Sequence, residues 1–336
     1  MNETAPAEEV GPALPSRTSS PVRRWLAPLL AIPTPVIFVV AAALAMALLW
    51  RRGALDEIGG SLATVHPGIV AALLGVYAAG IFVLGVRWHT LVRMAGGAPA
   101  WTASSEVFLT SVIINYAAPI GLAVPTRAAL TVRDLRLTPG QSGAVVAWEA
   151  GLDIAALATV SAAWLLLGGL DLVLTLAIDG RAMLLAGGAI VLAGIAAIAL
   201  TRIAAVRSRV APFMGDLVSG PGHHPALAVL AVLLTAMFWG AQIGVMAGLL
   251  AIFGVTPSPS LLLGVMGLPV LIGMLSPIPG GAGVREALMA AAAGLSGIPA
   301  GPVLLAAVAY RLALFVVTPV VWGAVRLARA IEGRHR

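Results

Sequence analysis

Stretches of about twenty apolar residues recur along this chain and limit what it can fold into. Each is about as long as the helix needed to cross the hydrocarbon core of a bilayer. A segment in lipid must satisfy its own backbone hydrogen bonds, so an uninterrupted apolar stretch of this length predicts a membrane-spanning α-helix. The sequence predicts six such spans, at about 33–50, 67–86, 144–168, 182–200, 226–252 and 302–325.

The composition leaves too little polar surface for a water-soluble domain. Of the 336 residues, 60% are apolar and 10% are charged, whereas soluble domains carry about 25% charged residues. All 20 basic residues are arginine, and the chain has no cysteine, which excludes disulfides and thiol catalysis. The arginines lie mostly in short loops between apolar segments, where they set membrane orientation, so we exclude nucleic acid as a partner.

Two further apolar regions, about 104–126 and 261–298, are interrupted by proline and glycine. Proline removes a backbone donor and glycine weakens a helix. Broken backbone at membrane depth persists only where protein buries it or where it lines a wet cavity, so both regions are predicted to be re-entrant hairpins. The interrupting residues are Pro119, Gly121 and Pro125 in the first region, and Pro277, Pro279, Gly280, Gly281 and Gly283 in the second.

A polar motif occurs once in each broken region, at an offset of 158 residues that brings Arg127 onto Arg285 without a gap. Internal repeats of this kind are common in membrane transporters. We therefore predict one membrane domain, 32–330, with repeat halves at about 32–169 and 182–327. The same offset also superimposes less common residues: His66-Pro67 on His224-Pro225, Gly96 on Gly254, Pro99 on Pro257, and Trp164 on Trp322.

The placement of the arginines assigns an orientation. With a cytoplasmic N-terminus, fourteen arginines fall inside and only Arg51, Arg52 and Arg181 fall outside, as the positive-inside rule expects. The inside set includes Arg87, which follows the predicted span 67–86. The first half then starts inside and the second outside, which predicts an inverted repeat with substrate sites near the membrane midplane.

Both ends of the chain are predicted to lie in the cytoplasm. Residues 1–31 are rich in Pro, Ser, Thr, Ala and Glu and are expected to be a disordered tail. The span 33–50 begins too late to be typical of a cleavable signal, so we expect a retained helix. Residues 331–336 form a second cytoplasmic tail. These features predict a multipass protein of the plasma membrane.

Arg127 and Arg285 directly follow the two breaks, where exposed backbone N–H groups favour anions. The guanidinium fork suits phosphate. These arginines therefore predict a site for phosphate or a phospholipid headgroup; the alternative is that each side chain only extends to the membrane interface. We favour the site for Arg285, which has Glu286 beside it and Gly280 and Gly281 in its break.

Glu149 and Asp153 are four residues apart on one predicted span, so they share a helix face. Carboxylates in a membrane helix are costly unless they are paired. The offset places Asp153 on Arg311, and we expect a cross-half pair between these acids and Arg285 or Arg311. Such a pair could serve as a proton or gating relay, or as a static salt bridge. Glu106 is expected to be solvated at the interface.

Motifs for other chemistry are missing. The sequence contains no HExxH or cysteine ligand set, no GxxxxGK[ST] and no GxSxG. We therefore predict no metal, no cofactor and no catalytic residues, and we do not expect an enzyme.

The second motif resembles the hallmark P-x-P-G-G-x-G-x-R-E of the lysylphosphatidylglycerol synthase transmembrane-region, or flippase-like, family. In this chain it reads Leu275-Ser-Pro-Ile-Pro-Gly-Gly-Ala-Gly-Val-Arg-Glu-Ala-Leu288, and the resemblance extends over nearly all of 33–330. Tyr310-Arg311 resemble a later Tyr-Arg pair of the family. Its first-half polar positions are matched by Asn115, Arg127, Glu149 and Asp153.

The chain departs from the family pattern at two places in its first half. Ala123-Val124 stand where the family often has Gly-Glu, and Ala150 stands where it often has Arg after Glu. In the protein that gives the family its name, a soluble aminoacyl transferase domain follows the membrane region. This chain ends at Arg336, so lysyl transfer from tRNA is not expected.

The resemblance implies a membrane protein that moves lipid or glycolipid headgroups between leaflets. Its partner would be an anionic phospholipid or a polyprenyl-linked lipid, with self-association left open. Two alternatives remain: a lipid-modifying enzyme that uses Glu149 or Asp153 as a base, and a non-transporting membrane scaffold. The predicted substrate-binding residues are Arg285, Glu286, Arg127, Arg311, Tyr310, Gly280 and Gly281.

Overall fold

Helices form the regular secondary structure in the part of the chain that the computed structural model describes, which is 65–117, 123–169, 214–215, 217–275, 281 and 283–334. The predicted all-α fold class is confirmed for these residues. A π-helical turn, Leu165–Gly169, continues α4. The nine α-helices with defined bounds there are α1 Pro67–Met94, α2 Trp101–Ala117, α3 Ala123–Leu135, α4 Pro139–Trp164, α5 Pro225–Ile252, α6 Pro259–Met266, α7 Leu268–Leu275, α8 Val284–Leu295 and α9 Ala300–Arg334.

Four of these helices are long and apolar enough to cross a bilayer: α1, α4 with its π-helical turn, α5 and α9. A helix of 28 residues, the length of α1 and α5, is about 42 Å long, which exceeds the ~30 Å of hydrocarbon. The predicted spans 33–50 and 182–200 lie outside the described residues. The four helices coincide with the other predicted spans, 67–86, 144–168, 226–252 and 302–325.

Local sequence signals set where the long helices begin. Proline occupies the first position of α1, α4, α5 and α6, where its missing N–H has no helical partner to lose. Before α4, Thr138 and Gln141 form a reciprocal capping box, in which each side chain accepts a hydrogen bond from the other residue's backbone N–H.

The helix bounds repeat at the offset found in the sequence. A shift of 158 residues carries α1 onto α5 at both ends, and it carries α2 onto the stretch occupied by α6 and α7. The turns after α1 and α5 also match, because Gly96 and Gly254 have φ angles of +83° and +78°. In both turns the next amide donates back to the helix, at 3.0 Å from Gly97 and 2.9 Å from Val255.

Both broken regions consist of short helices. At 17 residues, α2 is about 25 Å long, so it does not span ~30 Å of hydrocarbon alone. Its counterpart is divided at Gly267 into α6 and α7, because Pro269 has no backbone N–H to continue the helix and its ring clashes with the carbonyl group four residues earlier. The connections at 118–122 and 276–280 lie outside the described residues, so the re-entrant hairpins remain a prediction.

α1 and α5 pack against each other in opposite directions. Leu73, near the start of α1, contacts Gly248 near the end of α5. Further along α1, Arg87 donates to Thr235, which lies earlier in α5. Gly80, between them, packs closely against the middle of α5. Small residues at such contacts allow close helix approach in membranes.

Candidate functional site

Charged side chains inside the helix bundle gather into separate groups, each held by ion pairs. The first-half cluster comprises Arg87, Arg127, Glu149 and Asp153. The second-half cluster comprises Arg285, Glu286, Tyr310, Arg311 and Gln242. The terminal cluster comprises Glu106, Arg326 and Arg329.

Arg87 is at the centre of the first-half cluster, with 1% of its surface exposed. Its two terminal nitrogens donate to the two carboxylate oxygens of Asp153, at 2.6 and 3.0 Å. This bidentate geometry is the strongest arginine–carboxylate arrangement. Thr235 accepts a further bond at 3.2 Å, and Glu149 lies 3.6 Å away. The indole of Trp239 donates to Asp153 at 3.0 Å, so three helices meet at this group.

Arg127 reaches the same cluster from α3. Its guanidinium forms an ion pair with Glu149, and its Nε donates to the hydroxyl of Ser111 at 2.8 Å. The guanidinium carbon lies 5.5 Å from the ring centre of Trp88 and 5.0 Å from that of Phe108, both within the range of cation–π attraction. Glu149 therefore lies between two guanidinium groups, and the cluster contains two positive and two negative side chains.

The expected cross-half pairing of Glu149 and Asp153 is wrong. These acids pair with Arg87 and Arg127, both in the first half, because α4 packs against α1 and α3 and turns its acidic face toward them. Arg87 was expected among the cytoplasmic arginines and is instead buried within α1. Its role was missed because the apolar stretch ends at residue 86, whereas the helix continues to Met94.

The second-half cluster contains its own ion pair. Arg311 donates to Glu286 at 2.6 Å, and each side chain is 14% exposed. The other oxygen of Glu286 accepts from the backbone N–H of Gly283 at 2.7 Å. One carboxylate thus caps the start of α8 and ties it to α9.

Arg285 lies beside this pair. Its guanidinium carbon is 4.8 Å from the ring centre of Tyr310, whose hydroxyl donates to the amide oxygen of Gln242 at 2.6 Å. The ring of Tyr310 also meets that of Tyr77 edge to face, with centres 5.3 Å apart. Gln242 is fully buried, and its amide nitrogen has no hydrogen-bond partner among the described residues. The structure therefore brings together four residues that were predicted for one site: Arg285, Glu286, Tyr310 and Arg311.

Arg127 and Arg285 belong to different clusters. The first-half cluster contacts α1 at Arg87, and the second-half cluster contacts it at Tyr77. Ten residues of helix separate these positions, which is about 15 Å. The two clusters therefore lie at different depths along the α1–α5 pair, and Gln242 of the second-half cluster packs directly against Gly80.

The sequence match decides the family. Residues 34–323 match the model of the lysylphosphatidylglycerol synthase TM region. The chain belongs to this family. The match contains both clusters and confirms the resemblance found in the second motif. No curated protein sequence matches the chain. Membership in the lysylphosphatidylglycerol synthase TM family, together with the long apolar helices, makes this a membrane protein with a lipid-related function.

One glycine of the family motif, Gly281, has a packing role in this member. Gly281 is buried with φ at +64°. A Cβ on it would lie 2.5 Å from the carbonyl oxygen of Gly273, closer than real Cβ contacts. Only glycine lets the chain pass this close to α7. Gly280 lies outside the described residues.

The terminal cluster contradicts the expectation that Glu106 is solvated. Its carboxylate is 4% exposed and accepts from Arg326 at 2.6 Å and from Arg329 at 2.5 Å. Nearby, the hydroxyl of Thr102 donates to Glu332 at 2.9 Å. The end of α9 is thus fastened to the start of α2. More than 200 residues separate the partners, so no local sequence pattern indicates this contact.

Proposed function

We propose that this protein moves an anionic, phosphate-containing lipid between the two leaflets of its membrane. The observation that carries this proposal is the presence of two buried arginine–carboxylate clusters at repeat-related broken regions, at different depths along the α1–α5 pair. Ionisable groups at membrane depth are costly and are typical of substrate or ion routes.

An inverted repeat fits this function. α1 and α5 have equivalent bounds and pack in opposite directions, which supports two halves of opposite orientation. In transporters with such repeats, broken helices form the substrate site and the halves rock to open each face in turn. Arg127 and Arg285 would then face the route of the headgroup in turn, at different depths along the α1–α5 pair.

We assign the headgroup site to the second-half cluster. Its defining residues include two arginines and one carboxylate, so they carry a net positive charge, whereas the first-half cluster is neutral. A phosphate would bind Arg285 and Arg311 by charge-assisted hydrogen bonds. The buried amide of Gln242 offers a further donor beside Tyr310.

The test measures leaflet exposure of fluorescent phosphatidylglycerol in vesicles reconstituted with purified protein. We expect wild-type protein to equilibrate the leaflets at least about tenfold faster than the Arg285→Ala/Arg311→Ala variant, because each lost charge-assisted hydrogen bond contributes about 1.5–3 kcal/mol. Arg93→Ala is the matched control, since Arg93 is exposed. Wild-type rates no faster than those of the double variant or of protein-free vesicles would refute transport.

A non-transporting scaffold is the second candidate, favoured by the first-half cluster. Both of its carboxylates are already held by guanidinium groups, as in a salt bridge that fixes helix register. The same pairing gives Glu149 and Asp153 a positioning role rather than that of a general base, so we do not propose a lipid-modifying enzyme. A scaffold predicts that the swapped pair Arg87→Asp/Asp153→Arg restores the cellular phenotype while no lipid moves.

A further inference from the structure

The last turns of α9 carry two arginines that are held in place yet remain accessible. Arg326 and Arg329 are 46% and 47% exposed, whereas their shared partner Glu106 is 4% exposed. Each arginine uses one Nη1 hydrogen bond on this carboxylate. A guanidinium has five N–H donors, so most donors of both groups remain for another acceptor.

The arginines are pre-positioned for an anion. The guanidinium carbon of Arg326 lies 5.4 Å from the ring centre of Trp322, which restrains it on a second side. A restrained fork loses less conformational entropy when it binds a planar or tetrahedral oxyanion. The buried carboxylate of Glu106 thus orients both guanidinium groups from the protein side.

The charge of this region favours an anionic ligand. Arg326, Arg329 and Arg334 provide three positive charges near the end of α9, against the carboxylates of Glu106 and Glu332. Both acids are already engaged, since Glu106 is buried within α2 and Glu332 accepts from Thr102 of the same helix. Positive charge therefore dominates on the exposed side.

An exposed apolar stripe runs along α9 to the level of these arginines. At about 100° per residue, its four members fall within an arc of about 60°, and Arg326 and Arg329 lie about 80° and 140° beyond one edge of that arc. Exposed Gly323 and Ala330 lie between Arg326 and the stripe. Side chains exposed in this way on a membrane helix contact lipid chains. The members are Val316, Val320, Leu327 and Ile331, which are 48%, 69%, 64% and 49% exposed.

We propose that Arg326 and Arg329 bind the phosphate group of an anionic membrane lipid whose acyl chains pass beside Arg326 onto the exposed stripe. Arg326 lies fifteen residues beyond Arg311, which is about 22 Å along α9. The terminal cluster is therefore a separate site from the second-half cluster, and its lipid stays bound at the contact between α9 and α2 instead of being transported.

Binding is measured on the purified full chain in detergent, as the rise in melting temperature during titration with phosphatidylglycerol, phosphatidylcholine or inorganic phosphate. We expect phosphatidylglycerol to stabilise the wild type, and Arg326→Gln/Arg329→Gln to bind it about tenfold more weakly or worse. The matched control, Arg93→Gln/Arg136→Gln, removes the same charge from two exposed arginines outside α9 and should bind as the wild type does.

Equal binding of phosphatidylglycerol by Arg326→Gln/Arg329→Gln and the wild type would show that these arginines do not form a binding site. Equal stabilisation by inorganic phosphate would overturn the assignment to a lipid, and equal stabilisation by phosphatidylcholine would overturn the requirement for an anion. If the glutamine variant does not fold, Arg326→Lys/Arg329→Lys replaces it; loss of the guanidinium fork should weaken binding several-fold, and unchanged affinity would contradict the assignment. The same comparison in the Arg285→Ala/Arg311→Ala background removes the proposed headgroup site. Binding of phosphatidylglycerol in that background reports the terminal cluster alone, so a failure of the transport proposal is seen separately.

Discussion

Individual buried charges in this protein depend on a partner from another helix. Arg87 shows this most clearly, because it is 1% exposed and shares its donors among Asp153, Glu149 and Thr235. Removing one member of a buried pair leaves an uncompensated charge, which costs about 3–5 kcal/mol, whereas replacing both with apolar residues is often neutral. The loss of stability caused by a substitution of Arg87 therefore depends on which residue occupies position 153.

Arg87→Met is expected to destabilise the protein by about 3–5 kcal/mol, because Asp153 and Glu149 lose their shared cation. Arg87→Met/Asp153→Leu should recover most of that loss, since both charges are then gone. Thermal unfolding in detergent measures both variants, with Asp153→Leu alone as the third corner of the cycle. Losses that simply add in the double variant would show that the two side chains do not act as a pair.

Gly281→Ala should be among the most damaging small substitutions in the chain. The new Cβ would lie 2.5 Å from the carbonyl oxygen of Gly273, so α7 and the start of α8 must separate. Gly254→Ala is the matched control: its φ is similarly positive, at +78°, but nothing lies within 4 Å. The control should be destabilised by only about 1–2 kcal/mol, the cost of placing an alanine in a left-handed backbone conformation. Melting temperatures measure the loss of stability in each variant, and equal losses would contradict the packing role of Gly281.

Among the helices, the starts of the long spans were predictable from the sequence, whereas the ends of α1 and α9 and the partners of each helix were not. The starts follow from local signals, namely a proline at the first position and the apolar run after it. Partners depend on how far each helix rotates about its axis and shifts along it, which is decided by packing. Arg127, Glu149 and Asp153 were visible as costly charges, but their pairing was not, and Arg87 was assigned to the cytoplasm. Arg285 and Glu286 were recognised from the family motif, and Arg311 from the later Tyr-Arg pair.

The contact between α2 and α9 shows what such distant pairing contributes. Glu106→Gln removes the charge that holds Arg326 and Arg329, and we expect a loss of about 2 kcal/mol because both arginines stay half solvated. Hydrogen exchange of the amides in 326–334 should speed up. Glu332→Gln is the control, since Glu332 is exposed and accepts only from Thr102 among the described side chains. Equal exchange in both variants would mean that Glu106 does not fasten α9.

At the scale of the whole molecule, the α1–α5 contact relates the two halves. Contacts across it follow opposite orders along the two helices. Leu73 near the start of α1 meets Gly248 near the end of α5, and Arg87 further along α1 meets Thr235 earlier in α5. The repeat offset converts this pair into Val245 with Tyr77, the position where the second-half cluster meets α1. The same backbone contact thus supports an acid–base network in one half and a tyrosine–glutamine–arginine group in the other. The equivalent backbone contacts in the two halves therefore carry side chains of different charge.

Opposite orientation of the halves gives the last prediction. Ala98 and Thr256 occupy equivalent, exposed positions in the turns after α1 and α5. Because the chain has no native cysteine, Ala98→Cys and Thr256→Cys can each be labelled alone. A membrane-impermeant maleimide should label Thr256→Cys in intact cells, and Ala98→Cys only after the membrane is permeabilised, since the arginine distribution places the first turn inside. Denatured samples of each variant control for thiol reactivity. Labelling of both positions from one face would show that α1 and α5 cross the membrane in the same direction, which their antiparallel packing forbids, and would exclude an inverted repeat.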